Sequence, residues 1–374
     1  MTTSHADSHG YVESQPAHET RASSAAGTRQ ERHVSAYAEL SRRVRSLGLL
    51  ERRYGYYWTM IIGTVLGFAA IWVGFGFLGN SWFQLLLAAA LGVILAQFGF
   101  LGHDAAHRQI FASHRWNAWT SRVISGLFTG LSYGWWMSKH NRHHGNPNKE
   151  GADPDINPGA FAFTPSAAQS RGSLGSKLTS RQGYYFFPLL LLEGLALHVA
   201  SIQTLFQRKN MTHRWWEASF ITLRLGGYLA VLFIFLPAGK AAAFLGIQMA
   251  LFGLCLGASF ATNHIGMRIV GHDEKVDFLQ RQVLTSRNIR GGWFMDIAMG
   301  GLNRQIEHHL FPNMARPNLR RVRHIVRAHC AEHGIRYTEV GLFEAFGNVV
   351  AYLNRVGLAA RDPFQCPLAN QLRT

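Results

Sequence analysis

The sequence predicts an all-α integral membrane protein, with four transmembrane helices in two hairpins, interfacial helices, and a cytoplasmic cap carrying three histidine clusters. Three observations lead there. Charged residues make up 16% of the 374 positions and hydrophobic residues 48%, against roughly 25% charged in soluble globular domains. Four apolar stretches each reach the length of about 20 residues needed to cross about 30 Å of hydrocarbon as a helix. The clusters "HDAAH" at 103–107, "HNRHH" at 140–144 and "QIEHH" at 305–309 all fall at the ends of those stretches or beyond them.

Residues 1–50 form a polar arm rich in Ala, Ser, His and Arg, expected to be disordered because it has little apolar surface to bury. It shows no apolar core between a basic start and a small-residue cleavage site, so no cleaved signal is expected. Its histidines, His5, His9, His18 and His33, are scattered without helical spacing. A membrane domain is expected over 51–345 and a cytoplasmic tail over 346–374. The spans fall at about 57–78, 82–102, 216–236 and 242–264. Two further apolar stretches carry polar residues: Thr120, Ser121 and Arg122 in 118–136, and Glu193, His198 and Gln203 in 184–206.

Parity separates these two from the spans. Clusters that share one site share one side of the membrane, so 118–136, between the first two, does not cross. An even number of crossings must separate the second cluster from the third, which leaves the more polar 184–206 at the interface. Loop charge sets the orientation. Arg42, Arg43, Arg45, Arg52 and Arg53 precede the first span and Arg208, Lys209 and Arg214 the third, while the hairpin turns near 79–81 and 237–240 carry only Lys240. Excess Lys and Arg mark the cytoplasmic side, which places the clusters and both termini there. "GNPNKEGADPDINPG", 145–159, is a turn-rich loop. After Phe311, "PNMARPNLRRVRHIVRAHCAEHG" reads as a basic amphipathic helix.

A formal net charge of +16 raises nucleic acid as a partner, but the apolar runs would then have no purpose. The basicity fits cytoplasmic loops and anionic headgroups. Cys255, Cys330 and Cys366 form no CxxC pair and no even set, so neither a disulfide framework nor a cysteine-rich zinc site is expected.

On a helix, residues three and four apart share a face. His103 and His107 therefore project together, His140 lies one turn from both His143 and His144, and Gln305 stands in the corresponding place before His308 and His309. Neutral imidazole binds zinc, copper, iron and nickel, so the spacing points to metal without choosing one. Seven histidines exceed what one tetrahedral zinc takes, and two ions are the natural reading. His264, closing the fourth span in "ATNHIG", is either an eighth ligand or a helix-end cap. His198 reads as a satisfied interfacial histidine, and His114, His213, His272, His324, His329 and His333 as solvated or locally hydrogen-bonded.

Together "HDAAH", "HNRHH" and "QIEHH" resemble the three histidine boxes of the integral-membrane fatty acid desaturases, over about residues 55–340. The glutamine opening the third box is similar to front-end desaturases and to actinobacterial acyl-CoA or linoleoyl-CoA desaturases. The resemblance implies two iron ions held by His103, His107, His140, His143, His144, His308 and His309, with His264 as the histidine after the last span. Gln305 occupies a ligand position of members that have histidine there. It also implies dioxygen as cosubstrate and a fatty acyl-CoA or acyl-lipid substrate in contact with membrane lipids. No "HPGG" haem-domain motif is present, so electrons are expected from a separate redox protein, a ferredoxin or a flavin/iron–sulfur reductase. An asparagine that some members hold one turn before the post-span histidine is Phe260 here, with Asn263 on another face.

Candidates to orient the imidazoles are Asp104, Asp153, Asp155, Glu307 and Asp296; Asp104 and Glu307 adjoin ligands in sequence but leave the helix at another angle, which suits plain solvation equally. Tyr133, Trp135 and Trp136, beside the second cluster, suit either an acyl tunnel or an aromatic interface belt. Arg108, Lys139, Arg142, Arg287, Arg290 and Arg304 could meet an anionic headgroup or coenzyme A phosphates. The competing readings are a lipid hydroxylase with the same metal centre and, from another class, a membrane metal transporter. The latter would need ionisable ligands near mid-span, and a zinc peptidase would need HExxH, which is absent.

Overall fold

A computed structural model describes residues 36–208 and 210–359. His5, His9, His18, His33, Lys209 and Cys366 lie outside the described residues. Among the described residues the chain is mostly helical. After a helix at residues 36–46 (α1), two long helices, α2 (Tyr54–Leu78) and α3 (Gln84–Ala106), form a first hairpin. Both are apolar around their whole circumference, as a helix surrounded by lipid and protein must be. The turn between them starts at Gly79, whose φ of +49° suits glycine. Gln84 Nε2 donates to the Phe75 and Gly79 carbonyls, each at 2.8 Å, satisfying acceptors that the end of α2 leaves free.

The next stretch divides into α4 (His114–Val123), a π-helical turn over Ile124–Thr129, and α5 (Tyr133–Gly145), which carries the second cluster. Short helices α6 (Pro165–Gln169) and α7 (Ser173–Thr179) lead to α8 (Gln182–Leu190) and α9 (Glu193–Gln207). These last two meet at 74°, too sharp for one straight span. Pro188, inside α8, removes a helical donor near the break, and the break is held against the last span. There a Cβ on Gly253 would lie 2.4 Å from the Gly194 nitrogen.

The second long hairpin is α10 (Arg214–Phe235) and α11 (Ala238–His264). Four helices, α2, α3, α10 and α11, are long and apolar enough to cross a membrane, within a few residues of the expected spans. Only 17% of the most apolar stretch of α2 and of α10 is covered by protein, so side chains such as Leu66, Phe77, Leu223 and Ile234 are left exposed for lipid to cover. The two turns sit side by side, Lys240 Nζ donating to the Asn80 carbonyl at 2.6 Å, so the hairpins run in the same direction. α3 and α11 form the centre of the bundle. Gly92 permits their contact, since a Cβ there would lie 2.8 Å from the Gln248 carbonyl oxygen.

At the opposite end lies the cap: α12 (Phe278–Leu284), α13 (Trp293–Ala298), α14 (Gln305–Leu310), α15 (Arg316–Glu332) and α16 (Leu342–Ala359). Asn288–Ile289 and Glu339–Val340 pair as a two-residue parallel ladder. The amphipathic α15 buries Leu319, Val322, Val326 and Cys330 against Ala36, Leu40 and Val44 of α1 and Ile306 and Leu310 of α14, as its sequence pattern implies. Cys255 and Cys330 are unpaired. α16 runs on both sides of residue 346 and packs Val349 and Leu353 on Phe186 and Leu190 of α8.

Candidate metal centre

All three clusters converge at the end of the bundle away from the hairpin turns. Each arrives on a different element: the C-terminal turn of α3, the C-terminal half of α5 and the single turn and a half of α14, while α11 ends on His264. The eight imidazoles sort into two adjoining sets. His103, His107, His140, His144 and His308 form one, and His143, His264 and His309 the other; within each set one ligand atom per residue lies within 4.8 Å of all the others. His144 and His309 link the sets by stacking, ring centroids 4.3 Å apart and 13° from parallel.

The three-histidine set reveals its proton inventory. His264 Nδ1 donates to the Thr285 carbonyl at 3.0 Å. A carbonyl only accepts, so Nδ1 carries the hydrogen and Nε2 a lone pair. His143 Nδ1 faces the Asp153 carboxylate at 3.0 and 3.1 Å; Asp153 is fully buried and also accepts from the Asn148 and Asp155 amides. His309 Nδ1 donates to Gln282 Oε1 at 2.9 Å. The Gln282 amide is oriented by its own donation to the His144 carbonyl.

Neutral imidazoles held this way point three Nε2 lone pairs inward. His143 Nε2 and His264 Nε2 lie 3.3 Å apart, and His309 Nε2, in a residue 2% exposed, has no partner. Two lone pairs at that separation repel, and a metal ion or a proton shared between them relieves the repulsion. In the other set His103 Nε2 and His144 Nδ1 are likewise buried and unpartnered, and His107–His140 and His144–His308 approach through Nε2 at 2.8 and 3.2 Å. The donor sets therefore fit metal ions.

Electrostatics agree. Burial, then neighbouring imidazoles, hold His107, His140, His144, His308 and His309 well below the ordinary value of 6.5, so each keeps a bare ligand nitrogen at neutral pH. For His143 burial also acts downward, but the Asp155 and Asp153 carboxylates outweigh it and raise the pKa. Asp155 pairs with Lys139 at 2.8 Å. Burial opposes its ionisation, yet Lys139 and His143 lower its pKa to about 2.

Of the other acidic candidates, Asp104 lies 3.4 Å from His103 Nδ1 and forms an ion pair with buried Arg316 at 2.6 Å. Glu307 serves the helix rather than a ligand. It accepts from Asn288 and Tyr337, each at 2.7 Å, while Asn288 also accepts the Ile306 amide, fixing α14. Asp296 accepts from Asn303 at 2.7 Å. Gln305 Nε2 is 3.0 Å from His264 Nε2, and its Oε1 accepts from Asn263 at 3.2 Å, so Asn263, read as facing elsewhere, adjoins the centre. Lys139, Arg290 and Arg304 have acidic partners, and Arg287 donates to the Ile265 carbonyl. His198 contacts the Gly194 and Thr129 carbonyls, so both ring nitrogens have partners.

A cavity of about 310 Å³ opens from His103, His140, His143 and His264 between α5, α8, α9, α11 and α16. Its walls are mostly apolar, including Phe161, Phe186, Leu197, Leu256 and Phe260, with Trp135 and Trp136 beside the imidazoles and Lys139, Asp155 and Glu193 also in the lining. Trp136 stacks on His140 at 4.1 Å; of the aromatics flagged beside the second cluster, these two line the cavity. Tyr133 instead lies under the Arg122 guanidinium at 4.7 Å.

Three groups had no signal in the sequence: Gln282, the Thr285 carbonyl, and Glu217. Glu217, in the first turn of α10, accepts from Arg122 at 3.0 Å, from the Ser132 hydroxyl at 2.6 Å and from the Gly134 amide at 3.1 Å. It thereby holds the N-terminus of α5, the helix with three of the imidazoles.

Four apolar spans, eight imidazoles at one end and an apolar cavity reaching them define a histidine-rich membrane protein with groups able to hold metal ions. The family model described as fatty acid desaturase matches residues 80–341, more than half of the sequence, and the chain belongs to that family. Fatty acid desaturase 2-like protein FADS2B of Mus musculus is 29% identical over 331 residues, 86% of this chain and 66% of the mouse protein. Acyl-lipid (9-3)-desaturase of Physcomitrium patens is 30% identical over 291 residues, 74% of this chain and 54% of the moss protein. Fatty acid desaturase 3 of Bos taurus is 29% identical over 333 residues, 87% of this chain and 73% of the bovine protein. The chain thus spans between about half and three quarters of these relatives' lengths.

Proposed function

We propose that the protein is a fatty acyl desaturase that introduces a cis double bond into an acyl chain, carried on coenzyme A or on a lipid. The proposal assigns His103, His107, His140, His143, His144, His264, His308 and His309 as ligands of two iron ions, with Gln305 as a further contact of the centre. With dioxygen and two electrons from a separate redox protein, a ferredoxin or a flavin/iron–sulfur reductase, a bound iron pair would supply the oxidising power to remove two hydrogens from unactivated carbons, which no side chain can supply. The protein's own part is positional. Asp153, the Thr285 carbonyl and Gln282 hold three imidazoles in the ligating tautomer, and ordered ligands of this kind bind metal more tightly. The walls of the cavity exclude water and hold one carbon pair of a featureless chain beside the imidazoles, lowering the entropic cost of the reaction.

The observation that carries this reading is the convergence of eight imidazoles on the head of an apolar cavity. Placement of the centre on the cytoplasmic face of a bacterial plasma membrane is part of the same proposal and rests on the arginines flanking the spans. Expression in a host lacking unsaturated lipids, with mass-spectrometric location of new double bonds, tests it. The expected result is a new cis double bond that disappears in His144→Ala. A hydroxylated product without unsaturation, or product retained in the variant, would overturn it.

A further inference from the structure

The imidazoles of the metal centre are not the only set arranged for a cation. The run "HCAEH" ends α15 and places His329, Glu332 and His333 at i, i+3 and i+4, on one helix face. One ligand atom from each lies within 4.8 Å of the other two. His329 is 1% exposed, while the Glu332 side chain is 58% exposed, so the cluster has a fixed inner wall and an open side through which an ion can enter.

The hydrogen bonds sharpen the case. His329 Nε2 donates to the Ala36 carbonyl of α1 at 2.9 Å, so its Nδ1 bears a lone pair, 4.0 Å from Glu332 Oε2. His333 Nδ1 donates to the His329 carbonyl at 2.9 Å, leaving Nε2 as its lone pair, and the two rings lie 4.2 Å apart. Metal-binding imidazoles usually give their other N–H to a carbonyl or carboxylate. Both do so here, one of them to a different helix. The cluster also stands at the negative pole of α15, which favours a cation.

We propose that His329, Glu332 and His333 form a separate mononuclear site for a divalent transition cation at the end of α15, with zinc as the simplest fit. Two nitrogens and a carboxylate oxygen suit tetrahedral zinc, with water as the fourth ligand. Bond lengths of about 2.0–2.2 Å put the Nδ1 and Oε2 atoms about 3.3 Å apart. The exposed Glu332 carboxylate reaches that spacing by a small side-chain adjustment. The site shares no residue with the eight-imidazole centre.

The test uses the full-length protein in detergent, loaded with iron, equilibrated with zinc and desalted. Zinc and iron per chain are counted in wild type, His333→Ala and Glu332→Gln, and each is melted with and without zinc. Wild type is expected to retain one zinc more than His333→Ala, to bind it at least tenfold more tightly than Glu332→Gln, and to melt higher with zinc while the variants do not. Equal iron in all three verifies that the variants fold. Equal zinc in all three, or zinc gained only as iron is lost, would overturn the proposal. The difference between wild type and variants can be read whatever fills the other centre.

Discussion

Glu217→Ala is the substitution whose cost the structure specifies most fully. Glu217 is 1% and Arg122 6% exposed, and removing the carboxylate leaves the guanidinium, the Ser132 hydroxyl and the Gly134 amide without their acceptor. Breaking one side of a buried ion pair costs about 3–5 kcal/mol. At about 2 °C per kcal/mol, the small end of the usual range because the chain is long, the melting temperature should fall by about 6–10 °C. Arg122→Met in the same chain removes the stranded charge and should restore part of the loss, a coupling readable as a double-mutant cycle. Since the lost contacts cap α5, Glu217→Ala should also release metal faster than wild type. The assay is thermal unfolding in detergent, with metal content measured before and after prolonged dialysis. A variant that melts within roughly 2 °C of wild type and keeps its metal would refute the reasoning.

Asp153→Asn keeps the shape of the side chain but removes the charge that orients His143. Metal affinity should fall about 10–100-fold in a competition titration with a chelator, and an unchanged affinity would show that Asp153 does not act through His143. For the metal-free protein, stability should decline as pH drops below 6.5. His107, His140, His144, His308 and His309 have folded pKa values below the unfolded one, so the unfolded chain takes up protons first. Each contributes a slope of up to about 1.4 kcal/mol per pH unit. His143, raised instead, contributes the opposite sign, stability present below 6.5 and lost as pH rises through its folded value. Melting curves from neutral to mildly acid pH check this, and a flat profile would contradict it. Gly253→Ala places a Cβ 2.4 Å from the Gly194 nitrogen and should cost about 1–3 kcal/mol through overpacking, seen as a lower melting temperature.

The spans were legible in the sequence because a lipid-facing helix must be apolar on every side, so composition alone marks it. The histidine clusters were legible because i, i+3 and i+4 spacing fixes a shared face before any tertiary contact forms. Joining the clusters into one centre needed the further premise that they share one side of the membrane, and the loop arginines supported it. What holds the ligands in place could not be read this way. Gln282 reaches His309 across 27 positions and Glu217 reaches Ser132 across 85, and no local pattern records such pairings. Asn263 shows a related difficulty: helical geometry correctly separates it from the face of Phe260, yet Gln305 arrives from α14 to meet it. His329 and His333 read as solvated or locally hydrogen-bonded, yet His329 is 1% exposed and shares a helix face with Glu332 and His333. What the sequence did not disclose was the Ala36 carbonyl that fixes the tautomer of His329.

The most direct measurement is the iron content of the purified, iron-loaded protein. The arrangement of two adjoining imidazole sets predicts about two ions per chain, falling to about one in His309→Ala, which removes a third of the smaller set. A protein that binds no transition metal, or whose metal content is indifferent to His309 and to His144, would contradict the claim that these imidazoles converge to hold a metal pair.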